Sequence, residues 1–236
     1  GMSLRTFLSQ GQTTFKWREH RGVDENDIMS LLESLYNVRP TKEREMFENT
    51  NGNISVFGTY KDNLVKLYQP FDKGQIALRV KIDNSAIGKY FPKVIAYDDR
   101  FIIEEYIKSF SLSRNVDWSE VYTLILKLRE IQHEPTFDYL QFIYNRAGKV
   151  MPSEYYELDT YVNHNDLGVQ NILYTEDGQM KIIDNEHLGC NTGWFLNLFN
   201  SSHDLIDIQK NTDEFYGDFS KSLARDIFLN VRKKIK

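Results

Sequence analysis

The chain has 236 residues, a net charge of −5, a pI near 5.6, and 41% hydrophobic and 14% aromatic residues. That length can bury a substantial core as one domain or two small lobes, and the acidic balance argues against a nucleic-acid binder, which carries a basic face. The single cysteine, Cys190, excludes an internal disulfide and suits a reducing, cytoplasmic setting, while no apolar run approaches the roughly 18 residues of a membrane span.

In chain order, the opening Gly-Met-Ser-Leu-Arg lacks the apolar core of a signal peptide, and its leading glycine reads as an expression scar. Over residues 24–36, Asp24 precedes Ile28, Leu31, Leu32 and Leu35, the pattern of a capped amphipathic helix. Residues 44–47, 54–60 and 64–68, separated by polar turns at 48–53 and 61–63, predict a three-stranded antiparallel meander. Lys66 interrupts the last strand. Alternation groups it with Leu64 and Tyr68, and taken alone it reads as a solvent-side lysine.

Residues 74–90 predict a helix with no glutamate, its nearest acids being Asp72 and Asp83. Two strands follow, over 92–97 and 100–107, joined through Asp98-Asp99; Glu104 and Glu105 read as surface or hinge-structural acids. Asp117 with Glu120 forms a capping box ahead of the stripe Val121, Leu124, Ile125, Leu128 and Ile131, which Pro135 stops. His133 reads as structural. The stretch 137–161 is aromatic and short, 192–199 is apolar, and Phe215, Phe219, Leu223 and Ile227 recur at helical spacing. The closing basic run, 232–236, complements a helix C-terminus.

The most informative segment is His164-Asn-Asp166-Leu-Gly-Val-Gln-Asn171, followed by Ile182-Ile-Asp184-Asn-Glu186. A phosphoryl-transfer loop of the kinase type reads H-x-D-x-x-x-x-N, with a later Asp that holds magnesium. Between Asn171 and Asp184, Asp177-Gly178 is a hairpin signal. A two-residue turn there would set Asn171 opposite Asp184, with Cβ atoms about 5 Å apart, close enough for an amide oxygen and a carboxylate to share one Mg²⁺. Register decides this geometry, because a slip of one residue turns a side chain to the other face.

These two motifs resemble those of the aminoglycoside phosphotransferase and choline/ethanolamine kinase superfamily. His-Asn-Asp-Leu is closer to the choline/ethanolamine wording. The resemblance implies an α+β, two-lobed protein-kinase-like fold, with an antiparallel-sheet N-lobe over about 1–105 and a mainly helical C-lobe over about 108–236. It also implies ATP and Mg²⁺ as cofactors. By that likeness Asp166 is the catalytic base facing the acceptor hydroxyl, and Asn171 and Asp184 are metal ligands. Glu186 takes the second acidic place of D-x-E, beside a second metal or its water shell, and His164 supports the loop.

Placed upstream of that loop and after a turn-rich hairpin, Lys66 becomes the lysine of the nucleotide's α- and β-phosphates. Asn51, Gly52 and Asn53 fall in the phosphate-covering turn, and backbone groups of Glu105, Tyr106 and Ile107 fall where the adenine edge binds. The chain departs from the pattern in one respect: a kinase-type lysine is held by a helix glutamate, and here Asp83 is the substitute on offer. That gap favours a catalytically impaired nucleotide-binding scaffold; the complete His164–Asp166–Asn171–Asp184 set favours a working kinase. A metal-dependent hydrolase is weaker, since a lone H-x-D lacks further histidines. The expected partner is a small-molecule acceptor, choline- or ethanolamine-type or a sugar, with an aminoglycoside or cell-envelope saccharide as rivals. Trp194 and Tyr216 are candidates for its pocket, where an aromatic face would attract a quaternary ammonium.

Overall fold

The computed structural model describes residues 33, 39–40, 46–48, 54–108, 116–157 and 159–192. Outside them lie most of the predicted 24–36 helix, the turn residues Asn51, Gly52 and Asn53, and the positions Trp194, Phe215, Tyr216, Phe219, Leu223 and Ile227. The chain divides into two compact units, Gly1–Phe110 with Thr175–Lys181, and Ser111–Tyr174 with Ile182–Lys236.

The first unit is built on an antiparallel sheet. Its strands are β1 (Arg39–Pro40), β2 (Met46–Glu48), β3 (Ile54–Tyr60), β4 (Asn63–Tyr68), β5 (Val94–Tyr97) and β6 (Ile102–Glu105). Among the described residues they run in the order β1-β3-β4-β6-β5, with β2 also paired to β3. The predicted meander is β2-β3-β4. Its second turn is tighter than expected, because Tyr60 pairs with Asn63 and only Lys61 and Asp62 turn, with φ of 48° and 66°. Two consecutive positive-φ residues make the mirror-image turn that matches strand twist.

Helix α1 (Lys73–Asp83) follows β4. Asp72 Oδ1 accepts from Gln75 N at 2.9 Å while Gln75 Oε1 accepts from Asp72 N at 3.0 Å, a reciprocal cap. The helix ends at Asp83, short of the predicted Tyr90. Ser85 turns its hydroxyl onto Ile82 O at 2.7 Å, and a short 3-10 turn, Gly88–Tyr90, folds back so closely that a side chain at Gly88 would strike Asp83 O. Ile76, Leu78 and Ile82 are buried, and Ile76 packs with Tyr68 and Ile102 of the sheet and with Val94. Each such apolar side chain contributes about 1.5–3 kcal/mol.

In the second unit, α2 (Trp118–Glu130) carries the predicted stripe: Val121, Leu124, Ile125 and Leu128 are buried, and Asp117 Oδ1 accepts from Glu120 N at 3.2 Å. Helix α3 (Tyr139–Arg146) begins at Asp138, which accepts from Gln141 N and from the fully buried Tyr155 hydroxyl at 2.7 Å. Burial pushes both Asp138 and Tyr155 above their ordinary values. Strand β7 (Tyr161–Asn163) pairs with β10 (Gly189–Asn191), so the stretch between them leaves and returns at one place.

That stretch contains the hairpin of β8 (Ile172–Tyr174) and β9 (Met180–Ile182). Its turn differs from the expected two-residue form. Gly178 N donates to Thr175 O at 2.9 Å, Thr175 N donates to Gln179 O at 3.0 Å, and Gly178 takes φ +86°. Glu176, Asp177 and Gly178 thus form a three-residue loop closed by a left-handed glycine. The extra residue moves the register by one. Ile183 N donates to Asn171 O at 2.9 Å, and Ile183 stands opposite Asn171 where Asp184 was expected. Among the described residues no helix is long and apolar enough to cross a membrane.

Candidate active site

The loop between β7 and β8 is held by its own polar side chains. His164, fully buried, accepts from Asp166 N through Nδ1 at 3.1 Å, and its Nε2 lies 2.8 Å from Ile183 O. With Nδ1 accepting, the proton resides on Nε2 and is donated to that carbonyl. One ring therefore ties the start of the loop to the residue preceding Asp184. Asn165 takes φ 71° and donates from Nδ2 to His187 O at 2.8 Å.

Asp166 is left with 35% of its side chain exposed, enough for a substrate hydroxyl to reach it. Asn171 Nδ2 donates both to Asp166 O at 2.7 Å and to Asp166 Oδ2 at 3.1 Å. Burial, then the nearby Asp184, push the Asp166 carboxyl up to about 7; the Asn171 bond opposes this, and Glu186 adds to it. Three carboxylates thus share one region, although the predicted cross-strand pairing of Asn171 with Asp184 is absent. Asp184 reaches it by a different route: its backbone is left-handed, φ 56° and ψ 62°, so a reversal of the chain sets its direction instead of strand alternation. A non-glycine residue held there is strained, the sort of backbone that concentrates at functional sites.

The donors suit a hard divalent cation. Asn171 spends its amide nitrogen on Asp166, while its Oδ1 is buried with no hydrogen-bond partner. A buried acceptor in that state costs free energy until a cation or donor meets it. That amide oxygen and the carboxylates of Asp184 and Glu186, both of which act on Asp166, are oxygen donors, the class that hard cations such as Mg²⁺, Ca²⁺ and Mn²⁺ prefer and softer metals do not. Among the described residues no three His, Cys, Asp or Glu side chains meet in a metal-holding cluster.

One neighbour of Asp166 escaped the sequence reading. His187 Nδ1 is 3.8 Å from Asp166 Oδ2, and its ring stacks on Tyr139, centroids 4.0 Å apart and 18° from parallel. A titratable residue directly after Glu186 was a usable signal for His187. Nothing local marks Tyr139. His133, by contrast, sits with Nδ1 2.8 Å from Glu134 O and accepts at its own carbonyl from Cys190 Sγ.

The remaining candidates belong to the first unit. Lys66 is 9% exposed, its Nζ 5.4 Å from the Tyr68 ring centroid and 5.9 Å from that of Phe57, so it is not a solvent-side lysine. Asp83 Oδ1 accepts from Val94 N at 3.1 Å and thereby joins α1 to β5. Glu105 N donates to Lys93 O and Tyr106 N to Leu64 O, so both amides are engaged within the sheet unit. Glu105 Oε1 accepts from Lys93 N at 2.9 Å, near Lys181 Nζ at 4.0 Å. Glu104 is buried, at 2% exposure, and bonded to Arg79; it is no surface acid.

No family model matches the chain, and no curated protein matches it in sequence. Solved structures do match in shape. The gentamicin complex of APH(2'')-IIa aligns with a TM-score of 0.53 at 15% identity, covering 89% of this chain and 87% of that one. The choline kinase LicA from Streptococcus pneumoniae aligns at 0.50 and 13% identity, over 89% and 91%. ADP-bound aminoglycoside phosphotransferase APH(2'')-Ib aligns at 0.51 and 15% identity, over 86% of each. Aminoglycoside phosphotransferases and choline kinases form a protein-kinase-like superfamily of small-molecule phosphotransferases, and it is their fold that this chain shares.

Proposed function

We propose that this protein is an ATP- and Mg²⁺-dependent phosphotransferase that moves the γ-phosphate to a hydroxyl of a small molecule in the cytoplasm. One observation carries the reading: Asp166 is held by an asparagine whose remaining buried oxygen lacks a hydrogen-bond partner, beside two further carboxylates. Asp166 orients the acceptor hydroxyl and takes its proton. Asn171 and Asp184 hold the metal, and Glu186 supports it or its waters. Bound there, Mg²⁺ would neutralise charge on the β- and γ-phosphates. Lys66 positions the nucleotide's phosphates, with Asn51, Gly52 and Asn53 covering them and Glu105 to Ile107 along the adenine edge. In this reading residues 1–105 are the nucleotide lobe and 108–236 the acceptor lobe. The chemistry asks little of the protein beyond placement and electrostatics.

An amino alcohol of the choline or ethanolamine type, or a sugar, is the favoured acceptor. An aminoglycoside or cell-envelope saccharide is the rival. A second reading, a nucleotide-binding scaffold without turnover, draws on α1 having no glutamate for Lys66. Thermal-shift measurements with ATP and Mg²⁺, followed by radiolabelled ATP against a panel of these acceptors, separate the cases. Stabilisation with transfer supports the kinase, stabilisation without transfer to any acceptor supports the scaffold, and no response to nucleotide sinks both.

A further inference from the structure

The helix that should supply an acid to Lys66 supplies a base. Arg79 of α1 is 1% exposed, and its Nη2 lies 2.9 Å from Glu104 Oε2 of β6, itself 2% exposed. The same nitrogen donates to Pro92 O, and the guanidinium lies over the Phe91 ring, 5.4 Å from its centroid. Burial alone would depress the arginine, but Glu104, with lesser help from Tyr68 and Asp83, holds its pKa above the ordinary value. Both partners of this ion pair are thus out of water.

Register supplies the link to Lys66. In the ladder of β4 with β6, Lys66 is the direct partner of Glu104, and Tyr68 that of Ile102. Directly opposed residues project from one face with Cβ atoms about 5 Å apart. Tyr68 and Ile102 pack with Ile76 of α1, so this is the helix-covered face, and Lys66 shares it. Lys66, Glu104 and Arg79 therefore form one row of alternating charge from strand to strand to helix. Asp83 sits elsewhere, bonded to Val94 N.

We infer that Glu104 is the positioning residue of Lys66 and that Arg79 fixes Glu104 in turn. The link between helix and lysine strand persists with its charges exchanged: the acid has moved from α1 to β6, and α1 carries a base to hold it. An acid on a sheet strand is set by a rigid ladder, so the lysine is oriented without a contribution from helix swing. This inference rests on Lys66 being the nucleotide-phosphate lysine.

The test uses the full chain and compares adenosine with ADP and ATP. Glu104→Gln should weaken ADP and ATP at least about tenfold, the loss of a charge-assisted partner, while adenosine affinity stays unchanged. Because a lone Arg79 could unfold the sheet unit, a second variant, Arg79→Met with Glu104→Leu, removes both charges together. It should keep the parent's melting temperature within a few degrees and show the same selective loss for phosphate-bearing ligands. Equal weakening of adenosine and ADP in either variant, or no weakening of ADP in a folded one, would overturn the assignment. A parent chain that binds none of the three nucleotides would instead sink the kinase reading itself.

Discussion

The two units place their charged groups by opposite means. In the sheet unit, Lys66, Tyr68, Ile102 and Glu104 share a face through parity in an unbroken ladder. In the other unit, residues 164–174 and 182–187 gather Asp166, Asn171, Asp184 and Glu186 through irregular backbone, with left-handed Asn165 and Asp184 and a histidine clip onto Ile183. A ladder is rigid but permits only two directions. A strained loop can aim a carboxylate anywhere, provided that buried hydrogen bonds hold it there. The difference predicts that mutations in the first unit act on nucleotide placement and stability, and those in the second on chemistry.

The largest expected effect sharpens that contrast. Asp166→Ala should lower kcat by about 10²–10⁴-fold, the range of general-base catalysis, with ATP affinity hardly altered; steady-state rates alongside calorimetric ATP titration decide it. Unchanged turnover would remove Asp166 from the mechanism. Next comes stability in the sheet unit. Arg79→Ala removes the guanidinium bonded to a buried carboxylate and should cost about 3–5 kcal/mol in urea unfolding, the range for breaking one side of a buried pair. A loss under 1 kcal/mol, the range of a surface pair, would show the pair to be solvated.

Asn171→Ala should weaken Mg²⁺ binding about 10–100-fold, as lost metal-site groups do. It should also raise the Asp166 pKa further, since the Asn171 bond is the influence that lowers it. NMR titration of the carboxyl in both proteins reads this directly, and an unshifted or lower value in the variant contradicts the geometry. Metal itself gives a gentler handle. Without it, the Asp166 carboxyl stands at about 7 against 3.8 for the free side chain. The folded state then holds a proton that the unfolded state releases, so this group's contribution to stability is full below pH 3.8 and is lost as pH rises towards 7. Mg²⁺ should flatten that loss by offsetting the neighbouring carboxylates. A pH–stability slope that ignores Mg²⁺ would place the cation elsewhere. Smallest is the α1 cap: Asp72→Ala should cost about 1 kcal/mol and leave catalysis intact, visible as a lower urea midpoint.

Much of this was legible locally. Asp117 ahead of Val121, Leu124, Ile125 and Leu128 announces α2, because a capping acid and a helical stripe are short-range facts. The offsets among His164, Asp166 and Asn171 announce the loop. The hairpin between Asn171 and Asp184 was also legible, but its register was not. Asp177-Gly178 fits a two-residue turn and equally a three-residue loop closed by a left-handed glycine, and flanking hydrophobicity does not choose between them. The slip moves Asp184 out of the ladder, and only the left-handed turn at Asp184 brings the carboxylate back. Glu104 and Glu105 look alike in sequence; strand parity and the helix above them make one a buried ion-pair partner and the other half-exposed.

Sequence alone determined strands β2 to β6, the helices α1 and α2, the hairpin after the loop and the chemical identity of the loop's acids and amides, because capping, periodicity and motif spacing are carried by residues a few positions apart. Tertiary structure alone decided which side chains share a face with Lys66, that Arg79 and Glu104 meet out of water, and that His187 stacks on Tyr139 beside Asp166. Those outcomes depend on ladder register and on what covers each face, and a single bulged residue reverses both.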